Sequence, residues 1–262
     1  MRPLPRPVTR LTDTFLHEVD QRLPGRVTGL LLHGSLAWDE FFPGSDVDFV
    51  CVWDALPQDA DHVALEQAHL ATRTRCASPV FDGFHCTADD LGADPLTVGP
   101  RPVFYEGRFD ARGDTDINPV TWHELAERPV VVRGDRPSVR TDHTQLVQFT
   151  RDNLDTYWRS LLEHLGSERA PDMDCHDDLV LWTVLGSARL HHLLARGALT
   201  SKSGAGRYVI EHLDPRWHPI AREALRLRER PGSPSLYADA DHRRLDTCDL
   251  LAWVVADGTG AV

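Results

Sequence analysis

The chain has 262 residues, 41% of them hydrophobic, enough for one large domain or two modest ones with real cores. Its formal charge of −12 argues against nucleic acid as the main partner, because phosphate backbones are bound by basic faces, and it suits a cationic small molecule. No apolar run is long enough to span a membrane, MRPLPRPVTR lacks a signal-peptide core, and five scattered cysteines (Cys51, Cys76, Cys86, Cys175, Cys248) form no C-x-x-C pair, so a cytoplasmic chain with free thiols is expected.

In chain order, Leu11, Phe15, Val19 and Leu23 recur at helical spacing within 8–23. Two apolar runs follow, Val27 to Leu32 and Val47 to Trp53, read as strands either side of a Gly34-Ser35 turn. Residues 60–75 read as a helix and 80–86 (VFDGFHC) as a third strand, with Val80, Asp82 and Phe84 on one face. The stretch 88–118, rich in Gly, Pro and Asp, carries no clear periodicity. A short helix over 122–127 and a short strand over 129–133 complete an α/β alternation. Beyond Arg140 the pattern becomes helical. Leu146, Phe149, Leu154, Trp158, Leu161 and Leu165 form one stripe, and 166–175 is a polar break. Residues 177–196 form a helix with acidic residues in its first turn and Gly197 past its end. Further helices are expected over 203–212, 220–230 and 239–256. The fold class is therefore α+β: an N-terminal domain over 1–140, built as a mixed sheet with helices, and an all-α C-terminal bundle over 141–262.

The chemistry-bearing stretch is LLLHGSLAWDEFFPGSDVDFVCVW. Asp46 and Asp48 stand at i and i+2 at the start of a strand, so their carboxylates project together. Two such charges repel unless a cation sits between them, and Mg2+ accepts carboxylate oxygens while bringing substrate phosphates with it. Asp48 lies inside an apolar run, where an unpaired charge is costly. The turn at Gly34 and Ser35 offers N–H groups and a hydroxyl to phosphate; Ser45 either does the same or simply closes a turn. Asp82 is a third carboxylate on an apolar strand, placed to act as metal ligand or general base if that strand lies beside the first pair, and as a solvated edge charge otherwise. The pattern points to metal-dependent phosphoryl or nucleotidyl transfer. Of 28 basic residues only Lys202 is a lysine.

The G-S-x10-D-x-D unit resembles the polymerase-β-like nucleotidyltransferase superfamily, and the chain is more narrowly similar to the aminoglycoside O-adenylyltransferases that modify streptomycin and spectinomycin. Asp89-Asp90-Leu91 follow Asp82 at the family's spacing, and the stretch from Asp178 to Leu225 looks like its C-terminal helical signature. The resemblance implies Mg2+ as cofactor, ATP as co-substrate, and AMP transfer to a hydroxyl of a small cationic acceptor. It implies metal binding by Asp46, Asp48 and Asp82, with Asp82 standing where the family has a catalytic Glu. It implies phosphate contacts from Gly34, Ser35, Ser45, Arg189 and Lys202, and an acceptor contact from Asp178, near the start of the Arg-bearing helix. No Trp stands near Glu106-Gly107-Arg108, where the family's streptomycin enzymes carry one. A monomer or weak oligomer is expected. Two other readings stay open: the same chemistry on a protein, RNA or other metabolite, and a nucleotide-binding relative without catalysis.

Overall fold

A computed structural model describes residues 3–165 and 176–260. The chain forms two compact units, Met1–Asp142 and His143–Val262. The expected polar break at 166–175, with Cys175, lies outside the described residues.

In the first unit the elements are α1 (Arg6–Arg22), β1 (Val27–Leu32), a 3-10 turn (Gly34–Trp38), β2 (Val47–Trp53), α2 (Asp59–Arg75), β3 (Phe81–Thr87), α3 (Ala88–Gly92), α4 (Pro95–Val98), β4 (Arg101–Tyr105), β5 (Arg108–Gly113), α5 (Pro119–Glu127) and β6 (Val130–Arg133). Six strands pair in the order β5-β4-β3-β2-β1-β6. The β2–β3 pair is parallel, with α2 as its crossover; the other pairs are antiparallel. Both faces of the sheet are covered. On one, Phe15 and Leu11 of α1 and Leu65 of α2 pack on Leu30, Phe49 and Phe81. On the other, Leu91, Trp122 and Leu125 pack on Leu31, Val50 and Phe84. A strand buried on both faces needs apolar residues at nearly every position, which is why β1 and β2 read as unbroken runs rather than alternations.

Two expectations need correction. The third strand starts at Phe81, and Val80 is 50% exposed outside it, so only Asp82 and Phe84 of the expected trio share a strand face. The stretch without periodicity is ordered. Asn118 caps α5, and β4 and β5 form a hairpin whose two-residue turn, Glu106-Gly107, has positive φ at both positions (51° and 76°). That is the backbone of a type I′ turn, which matches the strand twist.

In the second unit α6 (His143–Asn153) runs through a π-helical turn (Leu154–Trp158) into α7 (Arg159–Leu165). Then α8 (Asp177–Leu181) passes through another (Trp182–Gly186) into α9 (Ser187–Arg196), so the helix expected over 177–196 is interrupted by a π turn. It ends as expected with Gly197 in the left-handed conformation. α10 (Lys202–His212), α11 (His218–Glu229) and α12 (Ala240–Thr259) complete the bundle around Leu154, Trp158, Val184, Val209, Ile220 and Leu250. The buried ion pair Glu223–Arg226 is closed by Ser235 Oγ and the Leu236 N–H, both donating to Glu223. Burial pushes the Glu223 carboxyl up, but Arg226 and these donors outweigh it and bring it to about 2.

Candidate active site

Asp46, Asp48 and Asp82 come together at one end of the parallel strand pair. β3 lies inside the sheet rather than at its edge, and its register with β2 sets Asp82 directly beside Asp48. Parallel neighbours at the same register present their side chains to the same face. Asp46, one residue before β2, is exposed. Its charge raises the pKa of both other carboxyls.

The Gly34 turn presses on this group. Gly34 has φ +58°, and a Cβ there would stand 2.7 Å from Asp48 Cγ and nearer still to Oδ2. Only glycine permits both that backbone and that approach. The preceding His33 donates its N–H to the Asp48 carbonyl (3.1 Å), which stitches the turn to β2. Ser35 Oγ is enclosed and has no hydrogen-bond partner. Ser45 Oγ accepts the Phe42 N–H (3.0 Å) and so closes its own turn, which leaves its hydroxyl proton for another acceptor.

Asp82 is 7% exposed. Its Oδ1 accepts the Glu106 N–H (3.0 Å) at the β4–β5 turn, whose Gly107 carbonyl is in turn held by Arg73 Nη1 (3.2 Å). The hairpin is thus the support of the third carboxylate. Burial pushes Asp82 up to about 6; the Glu106 N–H pulls it down, and the Asp46, Glu106 and Asp116 charges raise it. For Asp48 burial is again the largest cause and raises the carboxyl well above its usual range, opposed by the charge on His33. His33 would be pushed down by its burial, but its hydrogen bond to Glu124 and the charges of Asp48, Glu124 and Asp116 outweigh that and hold it protonated.

These residues fit a hard divalent cation. Burial and the neighbouring carboxylates raise the Asp48 carboxyl, and a cation at this point would oppose that shift and favour the charged form. Among the described residues no three His, Cys, Asp or Glu side chains close into a preformed cage. Mg2+ suits such a site, because it keeps several waters and binds through one or two carboxylates plus substrate phosphates.

In the second unit Arg189, on α9, has Nε buried without a partner, and Lys202 Nζ stands 5.3 Å from the Trp182 ring centroid. Of the two acidic residues opening α8, Asp177 accepts from Arg243 Nη1 (2.7 Å), while Asp178 stays exposed. Asp90 of the Asp-Asp-Leu triplet is structural. It forms a capping box with Thr87 and an ion pair with Arg101 (2.5 Å).

A residue not singled out in the sequence joins the site. Glu124 of α5 is 7% exposed, and its Oε2 accepts the Gly34 N–H (2.9 Å) and faces His33 Nδ1 (3.3 Å). Its Oε1 accepts Trp38 Nε1–H (2.7 Å). The one local signal is a charged residue between Trp122 and Leu125 in a short helix, which by itself names no partner.

Asp46 just before β2, Asp48 on it, Asp82 on its parallel neighbour and the Gly-Ser turn against Asp48 stand together on the mixed sheet of an enzyme of the nucleotidyltransferase class. Residues 13–75, which contain the turn and the first two aspartates, match the family described as the nucleotidyltransferase domain. Over nearly the whole length, the fold is similar to the crystal structure of spectinomycin adenyltransferase AAD(9) from Enterococcus faecialis with ATP and spectinomycin. The match covers 93% of this chain and 98% of that one, at a TM-score of 0.66 and 14% identity. No curated protein matches the sequence.

Proposed function

We propose that the protein transfers AMP from ATP to a hydroxyl of a small, cationic acceptor of the aminoglycoside type, in an Mg2+-dependent reaction. The observation that carries this reading is the β2–β3 register. It sets a desolvated Asp82 beside Asp48, directly under a Gly34 turn that has no room for a side chain. The similar fold of a spectinomycin adenyltransferase solved with ATP and spectinomycin supports the choice of nucleotide and acceptor class.

Asp46 and Asp48, with Asp82 at the margin, would hold Mg2+, which when bound neutralises the triphosphate and the departing pyrophosphate. The chain's own groups do the rest. The Gly34–Ser35 turn, its Gly34 N–H held by Glu124, offers the free Ser35 hydroxyl to phosphate oxygens. The resemblance assigns Arg189 and Lys202 to the nucleotide phosphates too, where phosphoryl-type transfer requires positive charge. Asp82 takes the proton from the acceptor hydroxyl. The oxygen then attacks the α-phosphorus, and the bond to the β-phosphate oxygen breaks as pyrophosphate leaves. Asp178 supplies a carboxylate for the cationic acceptor.

The test is incubation with ATP and Mg2+ across a panel of aminoglycoside and aminocyclitol acceptors, scored by pyrophosphate release and acceptor mass. AMP-modified antibiotic is expected. Label passing only to a protein or RNA would displace the antibiotic from the reading, and nucleotide binding without any release would make the chain a non-catalytic relative.

A further inference from the structure

Glu124 takes no chemical part in the reaction above, yet its carboxylate grips the turn that does. It binds both ends of the Gly34–Trp38 turn. Oε2 takes the Gly34 N–H at 2.9 Å, and Oε1 takes the Trp38 indole N–H at 2.7 Å. Arg128, one helical turn further along, places its guanidinium 4.2 Å from the Trp38 ring centroid. The Trp38 side chain is therefore held by its edge and by its face from the same segment of chain.

That segment is itself anchored. Trp122 stacks on Phe84 of β3 (5.8 Å, 7° between planes), and its indole N–H donates to the Ala93 carbonyl at 3.2 Å. Phe84 is two residues along from Asp82 and on the same face of the sheet. The helix that grips the turn and the strand that carries the third aspartate are thus packed as one body.

The chemistry of the group is also specific. Two donors meet the two oxygens of Glu124, the Gly34 N–H and the Trp38 indole, and His33 Nδ1 stands 3.3 Å from Oε2. A carboxylate accepts at both oxygens and donates nothing. A glutamine of the same length would turn an NH2 group towards one of these donors. A carboxylate next to a phosphate-binding turn is otherwise unfavourable, since its charge repels the ligand.

We propose that Glu124 is a positioning residue for the nucleotide. It sets the depth of the Gly34–Ser35 turn against Asp48, so that the Ser35 hydroxyl meets the phosphates beside the metal carboxylates. The inference rests on the nucleotidyl-transfer reading of the site and adds to it the element that keeps the turn in register.

The experiment is calorimetric titration of ATP with Mg2+ into the native chain, Glu124→Gln and Trp38→Phe, beside thermal melting and the KM of the acceptor. Glu124→Gln is expected to weaken ATP binding at least tenfold with acceptor KM within twofold of native. Trp38→Phe, which removes a single donor, is expected to weaken ATP binding about threefold in the same direction. Unchanged ATP affinity in both folded variants would overturn the proposal. So would a parallel fall in ATP and acceptor binding that tracks the folded fraction, because that is the mark of a merely structural residue. If Glu124→Gln does not fold, Trp38→Phe alone decides on the same criteria. A native chain that binds no ATP would overturn the nucleotide reading itself, and this inference with it.

Discussion

Replacing Gly34 with alanine perturbs the site through geometry alone, without removing a charge or a donor. The new Cβ would stand 2.7 Å from Asp48 Cγ, where ordinary contact starts at 3.4 Å, and closer again to Oδ2. The turn and the carboxylate must therefore part by about 1 Å, and a displacement of that size in a positioned group costs about 100-fold in rate. The backbone adds a smaller term. At φ +58° an alanine pays about 1–2 kcal/mol, which lowers the melting temperature of a chain this size by only a few degrees. The expected Gly34→Ala enzyme is folded, melts slightly early, and has lost about two orders of magnitude in kcat/KM for ATP. Pyrophosphate release at varied ATP, with a parallel melting curve, reads both quantities. Activity within threefold of native would refute the idea that the turn works by its closeness to Asp48.

Four further outcomes follow from the same geometry. Asp48→Asn keeps the shape of the side chain and removes a charged metal ligand, so pyrophosphate release should fall at least 100-fold, by the scale of lost electrostatic groups at such sites; near-native turnover would unseat the metal assignment. With Asp82 as base, log kcat should rise with pH and level off, at or below the value of about 6 that Asp82 has without a cation, and Asp82→Asn should lose that limb; a rate that falls between pH 5 and 7 would assign the proton to another group. Lys202→Ala should weaken ATP binding and leave acceptor KM unchanged; an equal effect on both, or on neither, would remove the lysine from the phosphates. The fourth concerns the buried pair His69–His85 (2.9 Å), where burial depresses both imidazoles, His85 to about 3. Because the unfolded chain takes up these protons near pH 6.5 and the folded one does not, their contribution to stability is present above 6.5 and declines as pH falls towards 3. For His85 that is about 1.4 kcal/mol per pH unit. Imidazole nitrogen shifts should show both rings neutral down to pH 5, and a titration near 6.5 would contradict this.

The parts legible in the sequence were those whose burial or chemistry is local. β1 and β2 are continuous apolar runs because the sheet is covered on both faces, and Asp48 stood out as a charge inside one of them. The helical C-terminal stripe showed its period, though nothing in it announced π turns at Leu154–Trp158 and Trp182–Gly186. The β4–β5 hairpin was hidden for two physical reasons. β5 alternates exposed polar residues (Arg108, Asp110, Arg112) with half-buried Phe109, Ala111 and Gly113 as an edge strand does, and its turn is Glu-Gly rather than the Asn-Gly or Asp-Gly that marks such hairpins. Yet this hairpin supplies the N–H that holds Asp82. Glu124 was hidden for a different reason. It is 90 residues from Gly34, and only the packing of α5 on the sheet brings the two together.

The most direct test of the central claim follows the α-phosphorus. With α-labelled ATP, Mg2+ and a spectinomycin- or streptomycin-type acceptor, label should appear on the antibiotic as a single AMP. Pyrophosphate should form in equal amount, and both should vanish in Asp48→Asn. Label remaining in ATP or free AMP, with no modified acceptor of any class at any ATP concentration, would contradict nucleotidyl transfer at this site.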